Sequence, residues 1–223
     1  MNLVDAAADL LLCGVCPGCE LPGSRICHRC TSTIMAGRVG PHTRHGIDLP
    51  LWSAGAYVAP VTRVISQAKD HHRWDGITLL GFRLALAVAG LVDHCQPCGP
   101  GILVPIPSTP SAVRERGLDF TYRLAVTSTR VLRRAGLSLS VVRALKHGRK
   151  VSDQGSLTTE QRHRNLHGSL EAKEVNSSGW IVVVDDVVTT GASLAEGIRA
   201  LGVQGRTPLG LATIAATSLR SAI

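Results

Sequence analysis

The stretch IVVVDDVVTTGAS, residues 181–193, constrains the fold more than any other part of the chain. Ile181 to Val184 form a continuous apolar run of β-formers, the pattern of a strand covered on both faces in a parallel sheet. The run meets two adjacent carboxylates, Asp185 and Asp186, and then a loop with little side-chain bulk. A helix through Leu194, Ile198 and Leu201 follows and stops at Gly202. Strand, bare loop and helix in that order define an α/β chain.

The flanking patterns extend this reading. Val61, Val64, Ile65 and Ala68 recur at helical spacing and predict a helix over 60–69; Leu79 to Asp93 predicts another. Ile102 to Val104 reads as a short buried strand ended by Pro105 and Pro107. A helix follows with Leu124, Ser128, Val131 and Leu132 on one face, and a last strand runs from Leu209 to Ala215. The expected architecture is a mainly parallel sheet flanked by helices. Residues 1–36 read as a lead-in and cysteine knuckle, 37–50 as a linker rich in Gly, Pro and His, and 51–223 as the α/β domain. Aromatics make up only 3% of the chain, so the core must be built from Val, Leu, Ile and Ala.

Seven cysteines punctuate the chain, five of them as Cys13-x2-Cys16-x2-Cys19 and Cys27-x2-Cys30. Two C-x2-C pairs suit a tetrahedral Zn2+ site, for which five thiols compete for four places. Cys16, Cys19, Cys27 and Cys30 make the regular arrangement, with a structural or partner-binding role. Cys95 and Cys98 read as plain thiols. The acidic start (Asp5, Asp9, no basic residue before Arg25) has the wrong sign for a signal peptide, and the apolar run Leu79–Val92 is interrupted by Arg83. The expected location is cytoplasmic, with no membrane span.

The net charge is +8, and half of the 24 Lys and Arg residues fall within 114–134 and 143–164. Such runs are either solvated faces or contacts for a phosphate-rich partner. Residues 123–179 contain no aromatic, which disfavours a single-strand nucleic-acid platform built on stacking. The basic segment 146–165, with Lys146, Arg149, Lys150 and Arg164, lacks apolar periodicity and reads as a lid over a phosphate-bearing ligand.

The acid pair and the loop specify complementary chemistry. Beyond a strand's carboxyl end, the amides of Thr189, Thr190, Gly191, Ala192 and Ser193 lead into a helix N-terminus and suit a monophosphate. Asp185 and Asp186 would repel that phosphate; sugar hydroxyls or a bound Mg2+ would satisfy them. The plainer alternative is a strand end followed by a Ser193-x-x-Glu196 capping box. Neither G-x-x-x-x-G-K-[ST] nor a post-strand G-x-G-x-x-G is present.

VVVDDVVTTGAS resembles the phosphoribosyl pyrophosphate (PRPP) motif of type I phosphoribosyltransferases. The cysteine knuckle, Val104-Pro105-Ile106-Pro107, Arg116-Gly117 and the series Lys146, Gln154, Leu157, Arg162, Asn165 are similar to the ComF/GntX-like branch. That resemblance implies a type I phosphoribosyltransferase fold, ribose contacts from Asp185 and Asp186, and phosphate contacts from Thr189 to Ser193. It also implies a pyrophosphate-holding turn after the V-P strand. The family often continues R-G-F-N-Q, whereas this chain has Leu118, Asp119 and Phe120, so positions 119 and 120 receive no ligand role. The expected function is Mg2+-assisted phosphoribosyl transfer from PRPP to an unspecified acceptor. The alternatives are a non-catalytic PRPP or nucleotide sensor, and an accessory protein in DNA uptake.

Overall fold

The structure, a computed structural model, describes residues 14–23, 25–71, 73–148, 166–175 and 178–218. Helix α1 spans His28–Met35, and strands β1 (Gly40–Arg44) and β2 (Ile47–Ser53) form an antiparallel hairpin. Helix α2 covers Val61–Asp70 and α3 covers Ile77–Cys95. Next come β3 (Gly101–Pro105), α4 (Pro110–Arg116), α5 (Phe120–Arg134), β4 (Leu139–Val141), β5 (Leu145–His147) and β6 (Leu170–Ala172). Strand β7 (Trp180–Val188), helix α6 (Ala192–Val203) and strand β8 (Gly210–Ala216) complete the described elements.

Six strands form one sheet in the order β1-β2-β8-β7-β3-β4, parallel except for β1. Strand β7 is central, and Ile181 to Val184 are buried to within 1% exposure, as a strand covered on both faces requires. On one face, Leu103, Val182, Val184 and Ile214 pack with Val64, Leu84, Val88 and Leu124 from α2, α3 and α5. On the other, Ile102, Val104, Val183 and Leu211 pack with Leu194 and Leu201 of α6 and with Leu145 and Leu170 of the β5–β6 hairpin. Helices α3 and α5 approach closely at Gly81, where a Cβ would lie 2.6 Å from the Thr127 side chain. The chain is therefore α/β, with a mainly parallel sheet flanked by helices and a cysteine cluster near its N-terminal end.

Several elements differ from expectation. Residues 37–50 are not a linker: they supply β1 and the first half of β2, which joins the main sheet by pairing Leu51 with Leu211 and Ser53 with Thr213. Strand β7 runs four residues past Val184 and so includes both acids. Helix α4 has Thr109 as its cap, Pro110 in its first turn and Gly117 at φ +72°, yet it buries no side chain. The 22 residues Trp74–Cys95 are long and apolar enough by composition to cross a membrane. Leu80, Leu84, Val88 and Leu91 from that segment are nevertheless fully buried in the domain's own core, which is where its apolarity is used.

The N-terminal region is keyed into the same core. Ile34 of α1 is a member of the first cluster. Arg83, 3% exposed on α3, donates to the carbonyls of Met35 (3.0 Å), Gly37 (2.6 Å) and Ala54, so one guanidinium joins α1, β2 and α3.

Candidate functional site

Where β3 ends, Pro105 stands beside Val184; from Asp185 onward β7 is paired only with β8, through Asp185–Thr213, Val187–Ala215 and Val188–Ala216. The acids occupy the first step that β3 no longer covers, at the carboxyl end of the sheet where α/β ligands bind.

The two acids have different partners. Asp186, 6% exposed, is in ion-pair contact with the ammonium of Lys69 at the end of α2. Burial opposes its ionisation most strongly, but the Lys69 charge and hydrogen bond, with hydrogen bonds from Asp185 and the Val187 amide, together outweigh it and hold the carboxyl below the usual range. Asp185 accepts the Asp186 amide through Oδ1 at 2.8 Å and faces a hollow of about 50 Å³. Burial and the neighbouring Asp186 carboxylate push its pKa well above the ordinary value.

The loop after β7 lines the same hollow: Thr189, Thr190, Gly191, Ala192 and Ser193 all contribute, with Leu166. Gly191 caps α6 at φ +85°, and a Cβ there would lie 2.8 Å from Ile47 Cδ1 and 3.2 Å from Arg44 Cβ. Only glycine fits that backbone against the hairpin. The Ala192 amide donates to Thr190 Oγ1 at 3.3 Å. Glu196 does not close a capping box. It is 4% exposed, accepts the Leu170 amide at 2.9 Å and pairs with Arg199 at 2.7 Å, locking β6 to α6.

Two residues that sequence reasoning passed over lie against this site. Lys69 follows Ala68 and falls four residues after Ile65, at the edge of the apolar stripe, which was the available signal. Arg44, 6% exposed, donates through Nε to the Thr189 carbonyl at 2.8 Å and through its Nη groups to the carbonyls of Thr43, Val188 and Thr217. Nothing in its local sequence marks it as buried. A larger cleft of about 670 Å³ is lined by Arg44 together with Arg38, His42, Ala56 and Thr217. Burial and the Arg44 cation both shift His42 toward its neutral form.

The turn after β3 is held from two sides. His147 Nε2 lies 3.1 Å from the Pro107 carbonyl, which can only accept, so that nitrogen carries the proton. Ser108 donates to Asp119 at 3.2 Å, and Asp119 in turn caps α5 by accepting the Tyr122 amide. Phe120 is fully buried. Arg116 donates to the Lys69 carbonyl at 2.7 Å, tying α4 to the end of α2. Of the expected lid residues, Lys146 pairs with Glu171 at 2.9 Å across the β5–β6 hairpin, with both side chains about half exposed. Arg149, Lys150 and Arg164 lie outside the described residues, as do Gln154, Leu157, Arg162 and Asn165.

The cysteine cluster is a separate site. The sulfurs of Cys16, Cys19, Cys27 and Cys30 all lie within 4.8 Å of one another, and Cys16 and Cys30 are buried. Burial would raise the Cys16 pKa, but N–H groups of Cys27, Gly18 and Cys19 outweigh it and bring the thiol to about 6. Burial and the surrounding sulfurs push Cys30 the other way. Four sulfurs so placed can hold a metal such as zinc. Cys13 lies outside the described residues; Cys95 and Cys98 are free thiols, the first half-buried and the second exposed.

No protein-family model matches the chain, and no curated protein sequence matches it significantly.

Proposed function

We propose that this protein binds PRPP with Mg2+ at the carboxyl end of β7 and transfers its phosphoribosyl group to an acceptor nucleophile. On this reading the fold is that of the type I phosphoribosyltransferases, and the chain stands with the ComF/GntX-like branch. The observation that carries the proposal is the shared hollow: Asp185, the acid outside the Lys69 ion pair, and the amide-rich loop 189–193 line the same small space. A ribose hydroxyl donating to Asp185 and a 5-phosphate accepting from the loop would lie side by side on a single ligand.

In the proposed reaction, the nucleophile's lone pair forms a bond to the sugar's C1 while the C1–oxygen bond breaks. Pyrophosphate leaves with that electron pair, and the nucleophile's proton passes to solvent. Mg2+, bound together with PRPP, would supply charge neutralisation at the pyrophosphate. The loop and Asp185 hold the sugar phosphate. The turn Pro105–Pro107 is the candidate to receive the pyrophosphate, and the basic segment from Lys146 to Arg164 is the candidate cover. The cysteine cluster is assigned a structural Zn2+, which stabilises the fold when its four ligands close around it.

The test is incubation of the protein with PRPP, Mg2+ and a panel of bases and amines, following pyrophosphate release, alongside calorimetry of PRPP and ribose 5-phosphate. Acceptor-dependent pyrophosphate release supports transfer. Binding without release points to a sensor. Absence of binding of either sugar phosphate at millimolar concentration removes the proposal.

A further inference from the structure

Among the described residues, Arg44 is a buried cation without an anion. Its side chain is almost completely enclosed, and among the described residues no carboxylate lies within ion-pair distance of it. Its acceptors are all backbone carbonyls: Thr189 at 2.8 Å, Thr43 at 2.8 Å, Val188 at 3.3 Å, and Thr217. Burying a guanidinium this way is costly, because carbonyl dipoles compensate a full charge less well than a carboxylate does. Burial accordingly lowers its pKa from the usual arginine value. Arg83 is buried against carbonyls in the same way; what sets Arg44 apart is that the peptides it holds lead into the N-terminus of α6.

The geometry of the peptide gives that placement a consequence. In a planar trans peptide the C=O and the following N–H point in opposite directions. Arg44 holds the Val188 and Thr189 carbonyls, so the amides of Thr189 and Thr190 are turned away from it. Among the described residues, the amides of Thr189, Thr190 and Gly191 donate to no protein acceptor. Gly191 packs directly on the arginine stem, with Arg44 Cβ and Cγ at 3.2 and 3.4 Å from where its Cβ would be. The loop thus has a cation behind it and free donors in front.

We infer that Arg44 is a positioning residue for an anion-binding loop: its guanidinium sets the peptides of residues 188–190 so that their amides converge on a phosphate, and its unpaired charge favours that phosphate from behind. The inference rests on the proposed reading of the loop as a phosphate cradle and adds a residue to it from the opposite end of the domain's sequence.

The test uses Arg44→Met, which keeps the stem and removes the charge and the fork, and Arg44→Lys, which keeps the charge alone. In ligand-free protein, amide resonances of Thr189, Thr190 and Gly191 shift in Arg44→Met, while those of β3 and α5 stay in place. Unchanged loop resonances would overturn the positioning role whether or not any ligand binds. With inorganic phosphate and ribose 5-phosphate as probes, Arg44→Met weakens both by the same factor, about tenfold or more. Arg44→Lys recovers part of the loss. This separates Arg44 from Asp185, whose loss moves ribose 5-phosphate alone. If Arg44→Met binds both probes as the parent does, the charge has no part in anion binding and the inference fails. If the parent binds neither probe while the loop resonances still move, the phosphate reading falls and with it the anion role of Arg44.

Discussion

Lys69 at the end of α2 is in ion-pair contact with Asp186, whereas the adjacent Asp185 faces the hollow lined by the 189–193 loop. The two acids therefore contribute to stability with opposite sign. Asp186→Asn leaves the Lys69 ammonium without its counter-charge and is expected to cost about 1–3 kcal/mol, less than a fully enclosed pair because Lys69 is partly exposed. Asp185→Asn removes a carboxylate whose ionisation is disfavoured and is expected to stabilise the ligand-free protein at neutral pH. Urea denaturation of both variants checks the contrast; equal effects would show that the pair acts as a unit.

The pH dependence follows from the same shifts. Asp186 has a depressed pKa, so its contribution is present above the unfolded carboxylate value near ~3.9 and is lost as pH falls through the folded value. Asp185 has a raised pKa, so the folded state loses stability as pH rises from the unfolded value through the folded one. The gain from Asp185→Asn should therefore shrink as pH is lowered toward about 4. Melting curves of parent and variant across that range test it, and a gain that grows toward acid would reverse the assignment.

For ligand binding, Asp185→Asn should weaken ribose 5-phosphate by about tenfold or more while leaving inorganic phosphate little changed. A lost charge-assisted hydrogen bond is worth about 1.5–3 kcal/mol. Calorimetry with both ligands makes the comparison. Equal ribose 5-phosphate affinity in parent and variant would mean that Asp185 does not read the sugar.

Gly191→Ala places a Cβ 2.8 Å from Ile47 at a backbone φ of +85°. The expected cost is about 1–3 kcal/mol in stability, from the left-handed conformation and the displaced hairpin together. Phosphate affinity should fall with it. Denaturation and phosphate titration report the two effects separately.

One Zn2+ per chain is expected in purified protein, lost in Ser variants of Cys16, Cys19, Cys27 or Cys30 and retained in Cys13→Ser. The basis is the four-sulfur cluster within 4.8 Å. Metal analysis by mass spectrometry decides it; equal loss in Cys13→Ser would reassign the ligands.

What the sequence made legible depended on burial. Ile181–Val184 announced itself because a two-sided strand is apolar at every position, and α2 and α5 because one face of each helix is apolar at regular spacing. Strand β1 was hidden: its residues are GPHTR, only Arg44 among them is buried, and its partner is another strand rather than a core face. Helix α4 carried start and stop signals but buries nothing, so apolar periodicity passed over it. Within the site, the acids and the loop stood out as a contiguous motif. Their supporting cations did not, because Lys69 and Arg44 reach them from segments more than 100 residues away in sequence, and adjacency of that kind is created only by folding.

Arg83 gives the domain's architecture an evolutionary direction. Its guanidinium ends on three carbonyls that the chain N-terminal to α3 supplies, and Ile34 from the same region fills the common core. A lineage that discarded residues 14–36 would strip Arg83 of its Met35 acceptor, leaving Gly37 and Ala54, and would open a gap in the core at Ile34, so loss of the cysteine segment would leave both the guanidinium and the core to be refitted. The segment is thus a non-transferable part of the domain rather than a cassette, and shuffling it onto another scaffold would leave both pieces incomplete.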